Sequence, residues 1–151
     1  MMRSFFASVL ADALAPALAR WSQSREREIL KSGRPLSEDQ IAFARQLGIS
    51  QPENLRLEIR SRVPLPISIQ LVSLARRIGF PLFHPSGMAL GRGISATSDD
   101  PALLRHEIVH LLQYQRLGGH KRFMHTYLFE CLLHGYFEAP MEGEARERSA
   151  L

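Results

Sequence analysis

The sequence predicts an α+β fold, mostly helical, with a small sheet packed on one long helix. Three observations carry this. Apolar residues recur at helical spacing over most of the chain, most clearly after Asp100. Strand-like alternation is confined to a stretch around residues 55–59 and to short pieces between Pro and Gly in 80–98. The 151 residues, 45% hydrophobic and 23% charged, suffice for one core burying roughly 70% of the unfolded surface, and the composition argues against wholesale disorder.

The N-terminal stretch MMRSFFASVLADALAPALARW reads as a helix whose packed face carries Phe5, Val9, Ala13 and Leu18. Two other readings stay open for it: a secretory signal over residues 1–19 and a helix lying on a membrane surface. No run of 18 apolar residues supports a spanning helix. Residues 22–36 are polar and charged and end in Gly33 and Pro35, as a helix tail followed by a turn. Residues 1–36 are therefore expected as an N-terminal helical arm, and 37–151 as the main domain.

A short helix follows over 37–47. Ser37 with Gln40 matches a capping box, and Gly48 stops the helix. Leu55, Leu57 and Ile59 alternate with Arg56, Glu58 and Arg60, which reads as a half-buried strand closed by Pro64 and Pro66. Residues 67–78 read as a helix stopped by Gly79, and residues 88–90 and 93–97 as two strands of a small sheet. Asp100 and Pro101 then make a strong helix start that runs to Gly118 or Gly119. Another helix is expected over 121–136, with Phe123, Tyr127, Leu128, Cys131 and Leu132 on its apolar side, and a last one from Pro140.

Composition removes several functions. The single cysteine, Cys131, excludes an intrachain disulfide framework and a Cys-rich zinc cluster. It sits at an apolar helical position and reads as a buried, inert thiol. A lone thiol fits a reducing compartment, so a cytoplasmic location is expected, with export as the alternative if residues 1–19 act as a signal. The formal charge is +4, but the arginines that dominate it are spread along the chain. A nucleic-acid binder would cluster them.

The chemistry lies in His106-Glu107-Ile108-Val109-His110, an H-E-x-x-H sequence inside the helix that starts at Pro101. The two histidines fall about 40° apart and one turn along the axis, so both imidazoles can reach one Zn²⁺. Glu107 lies about 60° from His110, placed to take a proton from a water rather than to bind metal. Leu104, Ile108, Leu111 and Leu112 form the apolar back of the same helix. A scrambled chain with this His and Glu content would contain the pattern roughly 0.017 times, so chance is a poor explanation.

This helix resembles the active-site helix of zincin-type zinc metallopeptidases. Over residues 87–147, the run LLRHEIVHLLQYQRLGG, a helix, and then APMEGEAR resembles small bacterial proteins of gluzincin character. The resemblance implies a zincin-like fold for residues 37–151, a zinc ion as cofactor, and hydrolysis of peptide bonds in a peptide or protein substrate.

Catalytic zinc usually has three protein ligands and one water. No His lies between Gln113 and Gly119, so the longer metzincin motif is absent. HExxH families with a later Glu ligand often show Glu-x-x-Ala, and Glu142-Gly143-Glu144-Ala145 fits with Glu142 as ligand. Glu144, His120, His125 and His134 remain alternatives. An Asp often follows that Ala and supports a ligand His, but Arg146 stands there. The ligand set is thus expected as His106, His110 and Glu142, with Glu107 as general base and Tyr136, His125 or His134 as candidate donors to the reacting carbonyl. An extended substrate is expected to pair with the strand over 93–97. A zinc-binding scaffold of the same fold with little or no turnover is the alternative. No nucleic-acid partner and no spanning segment are expected, and membrane contact, if any, would be peripheral through the N-terminal helix.

Overall fold

Alanine, rather than the larger apolar residues, decides how the N-terminal helix packs. In the computed structural model, which describes residues 1–66, 73, 76 and 85–151, helix α1 runs unbroken over Met2–Ser32. Its buried residues include Ala7, Ala11, Ala15, Leu18, Ser22 and Ile29. The expected face divides: Leu18 is buried, whereas Phe5 and Val9 are 67% and 48% exposed and Ala13 is exposed too. Alanines four residues apart share one stripe and let a second helix approach closely, which bulky residues would prevent. Among the described residues, α1 is also the one helix long and apolar enough, by length and composition, to cross a membrane.

Residues 34–35, expected as part of a turn, form a short strand instead. This strand, β1 (Arg34–Pro35), pairs antiparallel with β2 (Arg56–Ile59), Arg34 opposite Leu57. Proline lacks an N–H and is tolerated at such an edge. Residues 1–36 thus supply both the longest helix and one strand of the sheet. Helix α2 (Glu38–Leu47) begins with the expected capping box: Gln40 N–H donates to Ser37 Oγ, and Ser37 N–H donates to Gln40 Oε1. Of the helix expected over 67–78, only residues 73 and 76, both helical, are among the described residues.

Strands β3 (Gly87–Leu90) and β4 (Gly93–Ala96) form an antiparallel hairpin, and β4 also pairs in parallel with β2. The order is β1-β2-β4-β3, a small mixed sheet in a mostly helical α+β fold. Strand β4 is therefore paired on both sides, and the expectation that a substrate joins it is overturned. The sheet border nearest the H-E-x-x-H helix, among the described residues, is β3.

Alternation along β4 separates two layers. Gly93 faces α1, where a Cβ would lie 2.9 Å from the Ile29 side chain. Ile94 and Ala96 face the other way, into a core with Leu57, Ala89, Leu104 and Ile108. Leu104 and Ile108 belong to helix α3 (Pro101–Leu117), whose start is capped by Asp100 accepting from Leu103 N–H at 2.9 Å. Helix α4 (His120–His134) packs along α1, and α5 (Pro140–Ser149) packs on α3.

Candidate metal centre

Helix α3 has the two faces its sequence implies. Leu104, Ile108, Leu111 and Leu112 are buried in the core. On the front, one turn apart, the Nε2 atoms of His106 and His110 stand 3.1 Å from each other. The first turn of α5 brings Glu142 onto them: Oε2 lies 3.2 Å from His106 Nε2, and Oε1 lies 3.4 Å from His110 Nε2. These three side chains form a group whose ligand atoms all lie within 4.8 Å of one another. Ala145, next to this contact, is fully buried, so a small residue there does let α5 lie close to the core.

The donor set fits zinc. Ligands held about 2.0–2.1 Å from a tetrahedral zinc stand roughly 3.3–3.4 Å from each other. The two imidazole nitrogens, 3.1 Å apart, are near that spacing, and the two Glu142 oxygens approach them at 3.2 and 3.4 Å, one to each. Two imidazole nitrogens and one carboxylate are also the donors such a site uses.

Electrostatics point the same way. Burial disfavours the charged form of Glu142, yet hydrogen bonds from His106, His110 and Tyr127 outweigh it and hold the carboxyl far below its usual range. His110 is pulled down by burial but raised overall by Glu142, Glu107 and Gln113. The ionised Glu142 carboxylate is thus held against two imidazoles, a pairing in which positive charge is favoured.

Glu107 is buried beside this group, 5% exposed, and burial raises its pKa. Its position depends on β3. Thr97 N–H donates to Ser86 O across the hairpin, so the backbone groups of Gly87 and Ala89 turn to the strand's other edge. There the Ala89 N–H binds the Glu107 carboxylate. A Cβ on Gly87 would stand 2.8 Å from Glu107 Oε1 and 2.9 Å from its Cγ, so only glycine admits the helix this close.

Glu144 does not reach the group. Its carboxylate takes two 2.7 Å bonds from Arg116 and one of 3.2 Å from Arg148, and the Arg116 guanidinium is the main cause that lowers its pKa to about 2. The alternative histidines are elsewhere too. His125 pairs with Asp12 of α1 at 3.0 Å, His134 is exposed at the end of α4, and His120 is buried against Ser22 and Glu26. Tyr136 is half-buried; burial raises its pKa and the charges of Glu142 and Glu107 add to the shift. Burial raises the Cys131 thiol to about 12, which leaves it protonated and unreactive.

Two neighbours of the site were not foreseen. Tyr127 donates its hydroxyl proton to Glu142 Oε1 at 2.7 Å; its place in an apolar helical row hides this role. Gln113 Oε1 accepts from His110 Nδ1–H at 2.8 Å, and Gln113 is fully buried. A signal for it existed: Gln113 is three residues after His110, on the same face, amid the apolar Leu111, Leu112 and Tyr114. Arg146, where a supporting Asp was looked for, bonds the Phe137 carbonyl instead.

No family model matches the chain, and no curated protein or solved structure matches it.

Proposed function

We propose that this chain is a zinc-dependent peptidase of zincin type, in keeping with the resemblance carried by its H-E-x-x-H helix. The observation that carries this reading is the convergence of His106, His110 and Glu142 with a second carboxylate, Glu107, buried beside them and outside the ligand group. His106, His110 and Glu142 would hold the ion. Bound there, zinc supplies Lewis acidity toward a water and a scissile carbonyl.

The chain's own residues account for the rest. Glu107 accepts the water proton and delivers it to the departing amine. Its raised pKa brings it toward the range where a carboxylate works as a base at neutral pH. The Ala89 N–H and the missing side chain at Gly87 hold Glu107 in place without filling the space in front of it. An extended peptide would lie along the border strand β3, which adjoins Glu107.

The test is Glu107→Gln, assayed for zinc content and for cleavage of an unfolded protein substrate. Zinc is retained at one equivalent, and the cleavage rate falls by about 10²–10⁴-fold. Cleavage at the wild-type rate sinks the mechanism. A wild-type chain that holds zinc but cleaves nothing identifies a zinc-binding scaffold instead.

A further inference from the structure

The orientation of one buried amide decides how His110 presents itself. Gln113 Nε2 faces two acceptors, the Met141 carbonyl at 3.0 Å and Glu144 Oε2 at 2.9 Å. Only the amide nitrogen can serve both, so Oε1 is left toward His110 Nδ1 at 2.8 Å. An amide oxygen only accepts, and His110 must therefore carry a proton on Nδ1. In the neutral ring, the form that binds a metal, that leaves the lone pair on Nε2, the atom facing His106 and Glu142.

The same amide acts on the third ligand. Met141 and Glu142 are consecutive in the first turn of α5, so the bond to the Met141 carbonyl ties down the turn that presents Glu142. Glu144, one further residue on, is gripped from outside by Arg116 and Arg148. A continuous path runs from two surface arginines through Glu144 and Gln113 to His110.

Resting on the metal reading above, we propose that Gln113 is the positioning residue of this centre: it selects the Nδ1–H form of His110 and fixes the α5 turn that carries Glu142. It replaces the carboxylate that commonly backs a metal-binding histidine. Because it belongs to α3 and bonds α5, it orients two ligands from two helices at once.

The experiment is zinc titration of the full chain against a chromogenic chelator, with proton NMR of the zinc-loaded protein. Wild type takes up one zinc and shows a His110 Nδ1–H protected from solvent exchange. Gln113→Leu binds zinc about 10–100-fold more weakly and loses that protected proton. Glu144→Ala, which leaves the Gln113–His110 bond intact, weakens binding less and keeps the proton. Unchanged affinity in Gln113→Leu overturns the proposal. So does a wild-type spectrum without a protected Nδ1–H, a measurement that needs no variant to fold. A wild-type chain that takes up no zinc overturns the metal centre itself, and the positioning role with it.

Discussion

His110 and His120 are ten residues apart, both buried, and built to opposite ends. His120 meets a partner on each nitrogen: Ser22 Oγ at 2.7 Å on Nδ1 and Glu26 Oε2 at 2.9 Å on Nε2. Ser22 reaches on to Tyr114 OH at 3.1 Å, and Glu26 Oε1 accepts from Arg92 N–H at 2.8 Å. These bonds run between different elements and tie α1 to α3, α4 and the β3–β4 turn. His110 meets Gln113 of its own helix on Nδ1. Its Nε2 faces another imidazole nitrogen and a carboxylate. The first arrangement is complete as it stands. The second brings two imidazole nitrogens and a carboxylate to one point, a donor set in which a cation could take the place of the shared protons. A buried histidine is thus sorted by whether its neighbours complement it or compete with it.

The largest effect separates the two clusters by zinc itself. An excess of zinc at a hundred times its dissociation constant stabilises wild type by about 2.7 kcal/mol. Glu142→Ala removes one of the three proposed ligands, so its zinc affinity is expected to fall by more than the roughly 10–100-fold expected for a supporting residue. Most of the zinc-induced rise in melting temperature disappears with it. His120→Ala keeps the rise in full. Thermal melts of the three proteins with zinc and with chelator give the answer, and the comparison breaks if His120→Ala, rather than Glu142→Ala, loses the response.

The second effect belongs to His120 alone. Truncating it leaves Ser22 and Glu26 without their partner in a buried setting, at a cost of about 1–3 kcal/mol. At this chain length that lowers the melting temperature by roughly 2–4 °C per kcal/mol. The loss is the same with and without zinc. A loss seen only in the presence of zinc would place His120 in the metal centre.

Local pattern made the shared face of His106 and His110 legible, and non-local pairing hid much of the rest. His106, Glu107 and His110 were readable because ligand spacing and helical period coincide on one element. Asp100, Ser37 and Gln40 were readable because caps bond only to near neighbours. The status of β4 was not. Its second partner, β2, begins at Arg56, far upstream of Gly93, and nothing within 93–97 records that both sides are filled. The packing face of α1 was also misread, since Phe5 and Val9 outweigh Ala7, Ala11 and Ala15 in any count of apolarity. Helix approach instead follows size. Gln113 escaped because its role needs α5 in place.

The smallest effect is a pH dependence confined to the His120 cluster. Burial opposes ionisation of Glu26, but its bonds to His120 and to Arg92 N–H prevail and hold the carboxyl below the ordinary value. The folded pKa therefore lies under the unfolded one. The stabilisation it brings is full above the unfolded value, near pH 4.5, and is lost as pH falls through the lowered folded value. Glu26→Gln retains a hydrogen-bonding oxygen but no charge, so at neutral pH it is less stable by about 1 kcal/mol. In urea unfolding with zinc chelated, that gap stays constant from pH 7 to about pH 5 and narrows below about pH 4.5. Chelation removes the zinc-linked part of the acid response, and the titration of His110 and Glu142 that remains is common to both proteins and cancels in the gap between them. A gap that stays constant down to pH 3 would show that the Glu26 charge contributes nothing, leaving His120 held by Ser22 and packing alone.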